Sequence, residues 1–107
     1  MNKELRKGIN PSLILALLEN ESLYGYALIE RLMLKTGGAL EWKEGTLYPL
    51  LHQMEAKGWV QSEWQVAEGR RRKVYSITKN GRGELQKQKE EWVALQSAIG
   101  SVLGESI

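Results

Sequence analysis

The hydrophobic period of this chain changes twice, and those two changes restrict its fold more than any other property. From Glu44 to Gly58, Leu47, Leu50, Leu51 and Met54 recur at i, i+3, i+4 and i+7, which gathers them on one side of a helix. The opposite face, with Gly45, Pro49, His52, Gln53 and Ala56, is small or able to hydrogen-bond, and Gly58 is placed for a left-handed cap. After Gly58 the pattern becomes that of strands. Trp59 to Gln65 and Arg72 to Ile77 are rich in strand formers, with Val60 and Trp64 on one face of the first and Tyr75 and Ile77 on one face of the second. Val66 to Arg71 reads as the loop between them, with Gly69 at its tip. From Thr78, an N-cap, the period is helical again to about Val102, a length on the order of 35 Å.

The residues before Glu44 add two helices. Asn10-Pro11 reads as an N-cap followed by proline at the first helical position, so a helix is expected from Pro11 to about Glu19, with Met1 to Gly8 as an arm or frayed turn. Its body, Leu13 to Leu18, is apolar on every face and needs cover on more than one side, for which another subunit is the expected source. Asn20 to Ser22 is a turn. Tyr24 to Met33 is a second helix with Leu28, Ile29 and Leu32 buried, stopped by Gly37-Gly38, and Ala39 to Trp42 is a short extended link.

Helix, helix, turn, helix and then a basic hairpin is the order of a winged helix-turn-helix, in which the third helix is the reader and the hairpin the wing. The expected class is mainly α with a small β-hairpin. Residues 1–77 would form the winged region and 78–107 a dimerisation helix, within one structural domain overall. Leu85, Trp92 and Ile99 are seven apart, with Leu95 and Val102 at intervening d-like places. Together with Leu13 and Leu17 they form the expected dimer interface.

Composition excludes several functions. The 107 residues contain no cysteine and one histidine, so a disulfide framework and a thiolate metal site are ruled out. No paired-histidine motif or phosphate-binding glycine loop appears, and neither an enzyme, a metal site nor a cofactor is expected. There is no signal-peptide pattern and no long apolar run, which reads as a soluble cytoplasmic protein without a membrane partner. The formal net charge is only +2, but six cations and no acid fall between Gly69 and Gly83.

An ordered set of motifs carries a resemblance. Tyr24-Gly25-Tyr26, Gly45-Thr46-Leu47-Tyr48-Pro49, Gly58-Trp59-Val60, Gly69-Arg70 and Arg72-Lys73-Val74-Tyr75-Ser76-Ile77-Thr78 resemble the PadR family of transcriptional regulators, over about residues 10–103. The single last helix is similar to that of the short, second subfamily. The resemblance implies a dimeric repressor on palindromic promoter DNA, and a flat aromatic ligand stacked on the tryptophan of the last helix, here Trp92. The chain departs from the family pattern in having no cation on the reader helix before Lys57, and in carrying Arg71 and Val74 where family wings commonly have proline and tyrosine.

Residue chemistry then assigns roles. Thr46 and Tyr48 are expected on phosphates, Gln53 and His52 at base edges, and Lys57, Arg70, Arg71, Arg72 and Lys73 on phosphate or an adjacent minor groove. The expected ligand site comprises Trp92, Leu13, Leu17, Gln88 and Gln96. The competing reading is a winged-helix module whose arginines meet an acidic protein partner.

Overall fold

The computed structural model describes residues 3–104. Its elements are α1 (Lys3–Leu17), β1 (Leu23–Tyr24), α2 (Gly25–Lys35), α3 (Glu44–Ala56), β2 (Val60–Ala67), β3 (Arg70–Ile77) and α4 (Lys79–Leu103). The strands form one antiparallel sheet in the order β1-β3-β2. Ile14 and Leu15 of α1, Leu18 just after it, Leu28 and Leu32 of α2 and Leu47, Leu51 and Met54 of α3 meet in one core, closed by Val60, Tyr75 and Leu85. The apolar stripe of residues 44–58 is therefore what seats the third helix. Gly58 follows with φ 78°, the left-handed conformation that a glycine adopts without steric penalty.

The first helix differs from its expected start. It begins by Lys3 and passes through Pro11, so residues 3–8 are helical rather than an arm, while Met1 and Asn2 lie outside the described residues. Asn10 is not a cap. Its Oδ1 accepts the indole N–H of Trp42 at 2.9 Å, both side chains being buried. A buried indole requires an acceptor, and that long-range demand outweighs the local capping preference. Around Leu13 to Leu18 the all-round apolar character is met in part by α4 of the same chain, which packs on α1; Leu13 and Leu17 stay half-buried.

The hairpin is longer and its turn tighter than expected. Val66 pairs with Arg71 and Ala67 with Arg70, leaving only Glu68 and Gly69 as the turn, at φ 54° and 74°. Two left-handed residues match the right-handed twist of the flanking strands, so pairing continues to the tip. A third strand was not expected: Leu23 and Tyr24 pair with Tyr75 and Val74, and a two-residue strand is too short to show alternation in sequence. Val60 and Trp64 share a strand face, yet Val60 is buried and Trp64 is 56% exposed, because the hairpin projects beyond the core.

Thr78 caps α4, its Oγ1 accepting from Gly81 N at 2.9 Å and donating to the Gly58 carbonyl at 2.5 Å. This one side chain ties the end of α3 to the start of α4. The far end of α4 is capped at Gly104, with φ 76°. No described helix is long and apolar enough to cross a membrane.

Candidate nucleic-acid interface

A groove of about 790 Å³ runs between α3 and the hairpin. Tyr48, His52 and Glu55 line its helical wall, and Trp64 with Arg70 to Lys73 line its strand wall. Strand alternation divides the four cations. Arg71 and Lys73 share a face with Tyr75 and, by the cross-strand register, with Trp64; Arg70 and Arg72 point to the other face.

Each face has an aromatic support. Arg71 lies 4.8 Å and Lys73 5.6 Å from the Trp64 ring centre. Arg72 lies 5.6 Å from the ring of Tyr24 and 5.2 Å from that of Tyr26, and donates to the Tyr26 hydroxyl at 3.0 Å. Cation–π contact holds a guanidinium in place while leaving its charge uncancelled. Among the described residues, neither ion pair, Glu21 with Arg31 nor Glu19 with Lys89, includes a wing cation.

Tyr48 owes its position to a glycine. A Cβ on Gly25 would stand 2.6 Å from Tyr48 Cε1 and 2.7 Å from its hydroxyl, so any side chain there drives the ring from the groove wall. This explains why Gly25 between two tyrosines and Tyr48 on α3 belong to one structural unit. Burial, and then the charge of Glu44, pushes the Tyr48 hydroxyl above its ordinary pKa. Burial, followed by Glu55 and Tyr48, does the same for Tyr75. Both phenols keep their protons at neutral pH and remain donors.

Of the residues expected on DNA, the groove unites Tyr48, His52, Arg70, Arg71, Arg72 and Lys73. Thr46 and Gln53 are exposed on α3 outside its lining. Lys57 lies apart, its ammonium 4.7 Å from the Trp59 ring centre. Tyr24, Tyr26 and Trp64 were missed as groove residues. The Tyr24-Gly25-Tyr26 motif was the available signal, but its link to the wing spans 46 positions in sequence.

A second cleft, of about 420 Å³, lies between α1 and α4 and is lined by Ile9, Ser12, Gln88, Glu91, Trp92 and Leu95 among others. Ser12 donates to Gln88 Oε1, and Gln88 Nε2 donates to Glu84 at 2.7 Å. Trp92 and Gln88 are thus brought together, while Leu13, Leu17 and Gln96 do not line the cleft. Beyond it, Leu95, Ile99 and Val102 form an exposed apolar stripe on α4. Leu85, 2% exposed, belongs to the chain's own core and is withdrawn from the surface available to a partner.

Three helices, a basic two-stranded wing and a groove between them define a winged helix-turn-helix. Residues 14–87 match the Transcriptional regulator PadR-like family, and the chain belongs to that family. A transcriptional regulator from Clostridium thermocellum superposes with a TM-score of 0.87 at 29% identity, over 92% of this chain and 97% of that one. A PadR family transcriptional regulator from Eggerthella lenta gives 0.82 at 34% identity, over 94% and 86%. In sequence, a transcriptional regulator of Mycobacterium tuberculosis is 47% identical over 60 residues, 56% of this chain and 53% of that protein. The chain is accordingly a DNA-binding regulator of transcription and not an enzyme.

Proposed function

We propose that the protein is a homodimeric repressor that binds an inverted repeat in promoter DNA through the groove between α3 and the wing. The observation that carries this reading is the set of four consecutive wing cations, Arg70 to Lys73, which have no carboxylate partner among the described residues and lie beside the polar face of α3. Gln53 and His52 read base edges, Gln53 being matched to adenine, while Thr46, Tyr48 and Lys57 contact phosphates. The work is divided between residues 1–77, which bind DNA, and 78–107, which pair two copies. Pairing rests on the exposed stripe of Leu95, Ile99 and Val102, since apolar surface of that kind on a long helix favours a twin. Two readers in successive major grooves about 34 Å apart require a palindromic operator. Promoter binding also assigns the protein to the cytoplasm.

A mobility-shift titration on the protein's own promoter, its isolated half-site and a scrambled duplex tests the proposal. Tightest binding is expected on the intact promoter, on the order of a thousandfold over scrambled DNA. Equal binding to all three, from a protein that still dimerises, favours the protein-interaction module.

Release by a flat aromatic ligand is the regulatory part of the proposal. It rests on the cleft at Trp92, whose half-buried indole offers a face for stacking. Planar cationic dyes are expected to quench tryptophan fluorescence in the intact protein and much less in Trp92→Ala. Identical quenching in both removes Trp92 from the site.

A further inference from the structure

The Tyr24-Gly25-Tyr26 motif has so far only a packing role, through Gly25 and Tyr48. Its two rings have a further one. They lie nearly parallel, 7° apart with centres separated by 6.2 Å, and the Arg72 guanidinium lies against both. Tyr24 is fixed by its strand pairing with Val74 and donates from its hydroxyl to Gln65 Oε1 at 3.3 Å. Tyr26 is the freer ring, 45% exposed, and its hydroxyl accepts from Arg72 Nη1 at 3.0 Å.

Accepting that bond leaves the Tyr26 O–H proton without an acceptor among the described residues. A hydroxyl polarised by a cationic donor is a better donor in turn, so the pair presents a phenolic O–H and guanidinium N–H groups side by side at the groove. That combination matches a phosphate oxygen pair and carries no base information. We infer that Tyr26 is a positioning residue that fixes Arg72 and completes with it a two-donor clamp for one DNA backbone phosphate. The inference rests on the groove being the DNA interface. Its physical advantage is entropic: an arginine held beforehand loses less side-chain freedom on binding than one free in solvent.

The test uses the full chain, its own promoter DNA and a scrambled duplex, over a series of salt concentrations. Tyr26→Phe keeps the ring, the stack and the cation–π contact, and removes only the hydroxyl. It is expected to melt with the wild type and to bind both duplexes roughly three- to tenfold more weakly. Arg72→Ala is expected to lower the slope of log K against log salt by about 0.9, one phosphate contact. In the Arg72→Ala background, Tyr26→Phe is expected to add less than about twofold, because its partner is gone. Unchanged affinity in Tyr26→Phe overturns the inference, as does the same full loss in both backgrounds. If the unmodified chain binds neither duplex, the groove assignment itself has failed, and that is visible before any variant is made.

Discussion

Arg70→Ala combined with Arg72→Ala is expected to weaken binding to every duplex on the order of a hundredfold at moderate salt, and to lower the salt slope by about 1.8. The two side chains leave the same face of β3, so together they remove one of the wing's two charged faces while Arg71 and Lys73 stay on Trp64. Phosphate contacts release counterions without reference to base sequence, so promoter and scrambled DNA should lose affinity by the same factor. Arg70 is exposed, and Arg72, half-buried against Tyr24 and Tyr26, is no part of the hydrophobic core, so the melting temperature should fall by no more than a few degrees. Gln53→Ala should behave oppositely, reducing the preference for the promoter with little change in salt slope. Retention of full promoter affinity by the double arginine variant at moderate salt would remove the wing from the interface.

This contrast follows from a reader helix without cations before Lys57, and Lys57 itself lies against Trp59. In the proposed mode of binding, charge and base choice are divided between two elements, and the groove geometry is what makes them act together. The division also explains why the aromatic supports matter. A neutral reader gains its register only if the wing's cations are held at a fixed distance from it, and Tyr24, Tyr26 and Trp64 hold three of the four.

The winged architecture was legible because its main helices and the two strands of the hairpin announce their periods. The stripe of α3, the strand formers of the hairpin and the helical period of α4 all occupy their expected places. What was not legible depends on contacts between distant residues. Asn10 and Pro11 carry a local signal for a helix start, yet Trp42, 32 positions away, takes Asn10 as its acceptor and the helix runs through. Leu85 fits a seven-residue repeat as well as Trp92 does, but only the fold reveals that the first turns of α4 lie on the core. The groove was half legible: Arg70 to Lys73 stand out as a charge run, whereas Tyr26 gains its role from an arginine folded back against it.

The largest expected effect on stability belongs to Gly81→Ala. A Cβ at this position would lie 2.0 Å from the backbone oxygen of Trp59 and 2.9 Å from Ile77 Cγ1. The first contact is with backbone, so no rotamer change relieves it, and the start of α4 must move off the base of the hairpin. That movement strains the bond from Thr78 N to the Trp59 carbonyl at 3.1 Å, the cap on Gly81 and the Thr78 contact with Gly58. Overpacking with loss of a cap should cost about 3 kcal/mol, more than the helix propensity alanine regains. At fixed protein concentration this corresponds to a melting temperature lower by about 15 °C in a domain of this size. Gly83→Ala is the control, since a Cβ there meets nothing within 4 Å, and the same propensity gain should leave it as stable as the parent or slightly more so. If both variants melt together, the close approach of α4 to the hairpin base is wrong. If only Gly81→Ala falls, the joint between α3 and α4 is a rigid one, through which the proposed pairing of two α4 helices would fix the distance between the two α3 helices.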